Sequence, residues 1–148
     1  MTTPPMNYTN DDLFILGNIA SLAVRTGIGE QALPLLKLVQ QHRPENAAAF
    51  IVESMYLLSI GKKQAALALL ENCGAFEAEK NRDEALAFHL YLLQQDGQLQ
   101  RAVRLGTAYL EEGLIESKSA IEAARFVTTE CEKALGTLLD EQTSTNRG

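Results

Sequence analysis

The chain has 148 residues, 46% of them hydrophobic and 22% charged, which is the size and composition of one globular domain rather than of a disordered or fibrous chain. Thirteen Lys and Arg stand against nineteen Asp and Glu, a formal net charge of −6, and that excess repels phosphate backbones and anionic lipid headgroups, so neither nucleic acid nor a membrane surface is an expected partner. The most apolar stretches, Ala47 to Ile60 and Ala65 to Leu70, fall short of the roughly 20 residues that a bilayer span requires.

Met1 to Asn10 has no basic start, apolar core or small-residue cleavage site, so a cytoplasmic location is expected. Cys73 and Cys131 lack a C-x-x-C spacing and sit in helical apolar patterns, where a reduced thiol behaves as a small hydrophobe. Residues 1–9 and 141–148 read as flexible termini around a single helical domain of residues 10–140. Within it apolar residues recur at helical spacing and no strand-length alternation occurs, so the predicted class is all-α.

The first helix has a start signal in Thr9 with Asp12 three residues on, and its apolar face runs through Leu13, Leu16, Ile19, Ala20 and Ala23. Gly27 to Gly29 break it. A second helix follows through Ala32, Leu33, Leu36 and Val39 to Gln41, and Pro44 stops it because its ring forbids continuation. The third helix is predicted over Asn46 to Ser59, Gly61 interrupts, and the fourth covers Gln64 to Cys73. A polar connector from Gly74 to Asp83 leads to a fifth helix from Glu84 to Gln95, a turn at Asp96-Gly97 and a sixth helix from Leu99 to Glu112. After Gly113 one longer helix, Ser117 to Leu139, carries Ile121, Ala124, Val127, Cys131, Leu135 and Leu138 on its apolar face.

A register repeats through these elements. Gly27 is followed five residues later by Ala32, Gly61 by Ala66 and Gly97 by Ala102, with 34 residues from the first glycine to the second and 36 from the second to the third. The glycine permits a tight turn, and the small alanine lets the second helix of each pair approach the first. A helix–turn–helix with this period resembles the tetratricopeptide repeat. The resemblance covers Leu13 to Leu114 and includes Ala20, Leu36 and Pro44 in the first unit and Gly61, Ala66 and Leu70 in the second. Three departures stand out: Ala78 where a proline is usual, Glu53 at a position usually apolar, and Gly106 at the large apolar position of the third unit.

The resemblance implies a right-handed array of about three helical hairpins, closed by the last helix as a cap, because single hairpins cannot bury their own apolar faces. Small size, imperfect repeats and acidic charge are further similar to the tetratricopeptide chaperones of bacterial type III secretion, which implies a groove holding an apolar helix of a secreted or assembly subunit. Repeat register then puts Phe14, Ser21 and Val24, then Ile51, Met55 and Leu58, then Ala87, Tyr91 and Gln94 on the concave surface. Of these, Phe14, Val24, Ile51, Met55, Leu58 and Tyr91 are the expected partner-binding residues. The third helix is apolar on more than one face, either because it forms the floor of that groove or because it is central and covered by its neighbours. A homodimer using the same surface is the alternative occupant.

Other patterns point to no chemistry. Gly27-Ile28-Gly29-Glu30-Gln31-Ala32 matches a dinucleotide-binding pattern in letters, but that pattern needs a preceding β-strand, and Leu13 to Ala23 repeats at helical spacing. His42 reads as a cation at a helix C-terminus and His89 as a packed, hydrogen-bonded residue; neither has a second ligand at zinc spacing. The acidic groups Glu77, Glu79, Asp83, Glu84 and Glu111, Glu112, Glu116 read as solvated turns. No nucleophile motif is present, so no catalytic residue, metal or cofactor is expected.

Overall fold

The computed structural model describes Gly17, Ile19 and residues 22–27 and 29–145, with side chains as far as Gln142. The first predicted helix is therefore seen only in part: residues 22–25 are helical, while its Thr9 start signal and the groove positions Phe14 and Ser21 lie outside the described residues. The remaining elements are α1 (Gly29–His42), α2 (Ala48–Ser59), α3 (Lys63–Asn72), a short 3-10 turn (Ala75–Glu77), α4 (Arg82–Gln95), α5 (Leu99–Glu111) and α6 (Lys118–Thr145). Among the described residues there is no β-strand. No helix among them is long and apolar enough to cross a membrane.

The repeated glycines close the helices they follow. Gly61 and Gly97 have φ of +80° and +77°, a left-handed backbone that costs glycine nothing. In each case the next residue's N–H reaches back to a carbonyl five residues earlier, Lys62 to Leu57 and Gln98 to Leu93, both at 2.9 Å, which satisfies carbonyls the helix end would leave bare. Ala32, Ala66 and Ala102, the alanines in register with those glycines, are all buried.

The packing order also repeats. Helix α4 packs against α3 and α2, and α6 packs against α5 and α4. Tight turns make α4 antiparallel to α5, and the connection from Glu112 to Ser117 makes α5 antiparallel to α6, which leaves α4 and α6 side by side and parallel. Their N-termini are tied together. Arg82 donates from Nη2 to the Leu114 carbonyl at 2.9 Å, and Asp83 Oδ2 accepts the backbone N–H groups of Glu116 at 2.9 Å and Ser117 at 2.8 Å. A similar stitch joins α2 to α4: Ala47 N–H donates to the Lys80 carbonyl, Lys80 N–H to Glu45, and Asn46 Oδ1 accepts both the Ala48 amide and the Asn81 side chain.

These stitches move some boundaries from where apolar spacing puts them. Helix α2 starts at Ala48 rather than Asn46, because Asn46 stands before the Ala47 cap position and turns its side chain back to accept the Ala48 amide. The connector before α4 is not wholly polar and solvated, since Ala75 and Ala78 are buried in the core. Helix α6 continues to Thr145, past the expected end at Leu139.

The core falls into two parts on either side of α2. A small cluster holds Ala23, Ala32, Leu36 and Ala49 with Val52 against it, and a large one joins α3 to α6 through Leu70, Leu90, Leu93, Ala124 and Cys131, with Ile51, Leu57 and Leu58 of α2 packed on it. Helix α2 is apolar on more than one face because it serves both clusters. Its buried positions are nevertheless Ala49, Glu53 and Ser54. Glu53 accepts from Gln40 Nε2 at 2.9 Å and pairs with Lys37 Nζ at 2.8 Å, so this carboxylate, at a position where an apolar side chain is expected, is held by the preceding helix. The unusual glycine has a neighbour too. A Cβ built on Gly106 runs into the hydroxyl of Thr128, whose side chain occupies the space where α5 meets α6.

Candidate functional site

Parallel packing of α4 and α6 leaves a cleft between them that α2 closes at one side. Its volume is about 370 Å³, and it is walled by Ile51 of α2, Ala87, Phe88 and Tyr91 of α4, and Ala120, Ala123, Phe126 and Val127 of α6, with Glu84 and Ser119 at one end. Residues three and four apart on a helix share a face, which is why 84, 87, 88 and 91 on α4 and 119, 120, 123, 126 and 127 on α6 line it together. Both rows start near the tied N-termini, at Glu84 and Ser119, and run seven residues on, to Tyr91 and Phe126.

The aromatic side chains of this wall are incompletely covered. Phe126 is 67% exposed and Tyr91 37%, and Tyr91 lies against Phe88 with ring centroids 5.8 Å apart. Burying such rings is worth about 1.5–3 kcal/mol each, so an open phenyl ring facing an apolar cleft favours a guest that covers it.

Of the residues placed on the concave surface by repeat register, Ile51, Ala87 and Tyr91 meet in this cleft. Val24 packs instead on the small core cluster, and Leu58 packs on the large one. Met55 is partly exposed but is not among the residues that wall the cleft. The weight of the site therefore lies on α4 and α6 rather than on α2. Phe88, Ala123 and Phe126 were not legible as site residues: Phe126 stands outside the apolar series of its helix, and that displacement is the one local signal for it.

Apart from the cleft, a polar cluster joins α3, α4 and α5. His89 is buried, its Nε2 lies 3.2 Å from Glu71 Oε2 and its Nδ1 lies 3.1 Å from the Tyr109 hydroxyl. Glu71 also accepts from the Arg101 guanidinium, and the Phe76 ring lies tilted at 55° against the imidazole with centroids 4.9 Å apart. Burial holds the His89 pKa below its ordinary value, with Arg101 acting in the same direction and Glu71 against it. Both ring nitrogens are thus engaged, which suits a structural pin between three helices. Cys73 and Cys131 are free thiols, and burial pushes both pKa values up, away from the reactive thiolate. No group of three or more His, Cys, Asp or Glu among the described residues could hold a metal ion. The pattern Gly27 to Ala32 also has a packing account, because the Tyr56 ring lies where a Cβ on Gly29 would be.

No protein-family model, curated protein or solved structure matches the chain.

Proposed function

We propose that the protein is a non-catalytic binding module of tetratricopeptide type, which holds an apolar, amphipathic helix of another polypeptide in the cleft between α2, α4 and α6. The observation that carries this reading is the exposed Phe126 ring beside a cleft walled almost wholly by apolar side chains. A helix laid into such a groove buries its apolar face at positions i, i+3, i+4 and i+7. Three or four side chains captured there gain about 1.5–3 kcal/mol each before ordering costs are subtracted. The Gly and Ala register and the stepwise packing of helices support the repeat assignment. By resemblance the role is that of a cytoplasmic chaperone for an exported subunit of a type III secretion system, and no cofactor, metal or catalytic residue belongs to it.

The test is direct binding of a fluorescein-labelled amphipathic peptide with leucine at those spacings. Wild type should give saturable anisotropy, and Phe126→Glu should abolish it with an unchanged far-ultraviolet circular dichroism spectrum. Unchanged binding by a folded Phe126→Glu variant would move the site elsewhere. Leu58 is a poor target because it packs on the core.

A second reading, a homo-oligomer, draws on Leu138 and Leu139, which are 48% and 63% exposed near the end of α6. Light scattering distinguishes it, since self-association raises the mass with concentration and Leu138→Glu with Leu139→Glu should reverse the rise.

A further inference from the structure

The apolar cleft does not end in neutral surface. Glu84 also lines a second, polar cleft together with Glu79, Asp83, Glu116, Arg82, Asn81 and Ala78. Two of these charged groups are already committed: Arg82 to the Leu114 carbonyl, and Asp83 to the amides that open α6. Glu79, Glu84 and Glu116 are exposed, so the end of the groove at the N-termini of α4 and α6 presents carboxylates. Lys80 and Lys118 stand next to it in sequence but do not line it.

Resting on the groove reading above, we infer that the occupant is a helix with a cationic last turn, lying antiparallel to α4 and α6 so that this turn meets Glu79, Glu84 and Glu116. Helix dipoles set the direction. Lys or Arg in the last turn of a helix is favoured by that helix's own dipole, so a basic C-terminal turn is intrinsically stable and fits the acidic end. The antiparallel arrangement also sets the occupant's dipole against those of α4 and α6. The apolar row available on α6, Ala120 to Val127, rises about 10 Å. It accommodates two turns of apolar face, with the charged turn just beyond.

The experiment uses two designed peptides of about 16 residues with an identical leucine face, one ending in Lys-Arg-Lys and the other in Glu-Asp-Glu. Both are titrated by anisotropy into the full chain at low and high salt. The basic peptide should bind about tenfold tighter at low salt, and the difference should shrink as salt rises. Glu84→Lys with Glu116→Lys should reverse the preference, with circular dichroism checking the fold. A third peptide, with Lys-Arg-Lys moved to its first turn, should bind more weakly than the one with the same residues in its last turn.

Equal binding of all three peptides, lost in Phe126→Glu, overturns the charged-end inference and leaves the groove. Failure of every peptide to bind the wild type removes the groove as well. Competition of the peptides by self-association, seen as a change of sedimentation coefficient, assigns the groove to a second copy and overturns the inference.

Discussion

The Asp83 carboxylate, in the first turn of α4, accepts the backbone N–H of Ser117 at 2.8 Å and that of Glu116 at 2.9 Å, so one helix caps the start of the helix two places on. The contact fixes α6 beside α4 and so holds the two walls of the cleft in register. Ser117 extends the cap by accepting the Ala120 amide with its hydroxyl at 3.3 Å. Asp83→Ala leaves two amides to find water and should lower stability by about 1–2 kcal/mol, read as a shift of the urea midpoint. Because the walls depend on it, peptide affinity should fall as well. A midpoint equal to the wild type would mean that the cap contributes nothing.

Gly106 predicts a close approach that can be tested by substitution. A Cβ at Gly106 would collide with the Thr128 hydroxyl, so a methyl group enters only if the Thr128 side chain turns or α6 shifts. Gly106→Ala should therefore cost about 1–3 kcal/mol despite alanine's better helix propensity. Thr128→Ala removes the obstructing hydroxyl, so the double variant should recover part of the loss, and the coupling is read from a double-mutant cycle. Additive losses would show that the two residues do not meet.

The Gly and Ala register was legible because each closing turn is built from neighbours in sequence: Gly61 and Gly97 end their helices with bonds spanning five residues. The helix class was legible for the same reason. The site was only partly so. Tyr91 and Ile51 follow from repeat register, but the wall that faces them comes from α6, where Phe126 breaks the apolar spacing that identifies a buried face. Asp83 reads as one of several solvated acids until the chain folds and brings it 34 residues on to Ser117. Glu53 and Gly106 look like departures from a repeat, and each is explained by a partner on another helix, Gln40 with Lys37 for the first and Thr128 for the second. Such pairings leave no periodic trace in the sequence.

The seam at Glu53 orders two substitutions. Glu53 is buried while Lys37 is largely exposed, so removing the lysine gives up a screened pair worth about 0–1 kcal/mol. Removing the carboxylate strands the buried Gln40 amide, left with the Ala49 carbonyl at 3.3 Å, and should cost more, about 1–3 kcal/mol. Urea denaturation of Glu53→Ala and Lys37→Ala checks the order, and a larger loss for the lysine variant would contradict it.

His89 gives the fold a dependence on pH whose sign is fixed by its surroundings. Its neighbours are Glu71 from α3, Arg101 and Tyr109 from α5, and Phe76 from the 3-10 turn. Burial outweighs the Glu71 attraction and holds its pKa below the ordinary 6.5. Between the lowered value and 6.5 the unfolded chain binds more protons than the folded one, so stability rises with pH there and is lost as pH falls below about 6.5. His89→Gln keeps a polar group in the cluster but cannot take up a proton. That variant should be less stable at neutral pH, and its stability should change less than that of the wild type between about pH 7 and pH 5.5. Urea midpoints at the two pH values measure the slope, and an undiminished slope in His89→Gln would place the titrating group elsewhere.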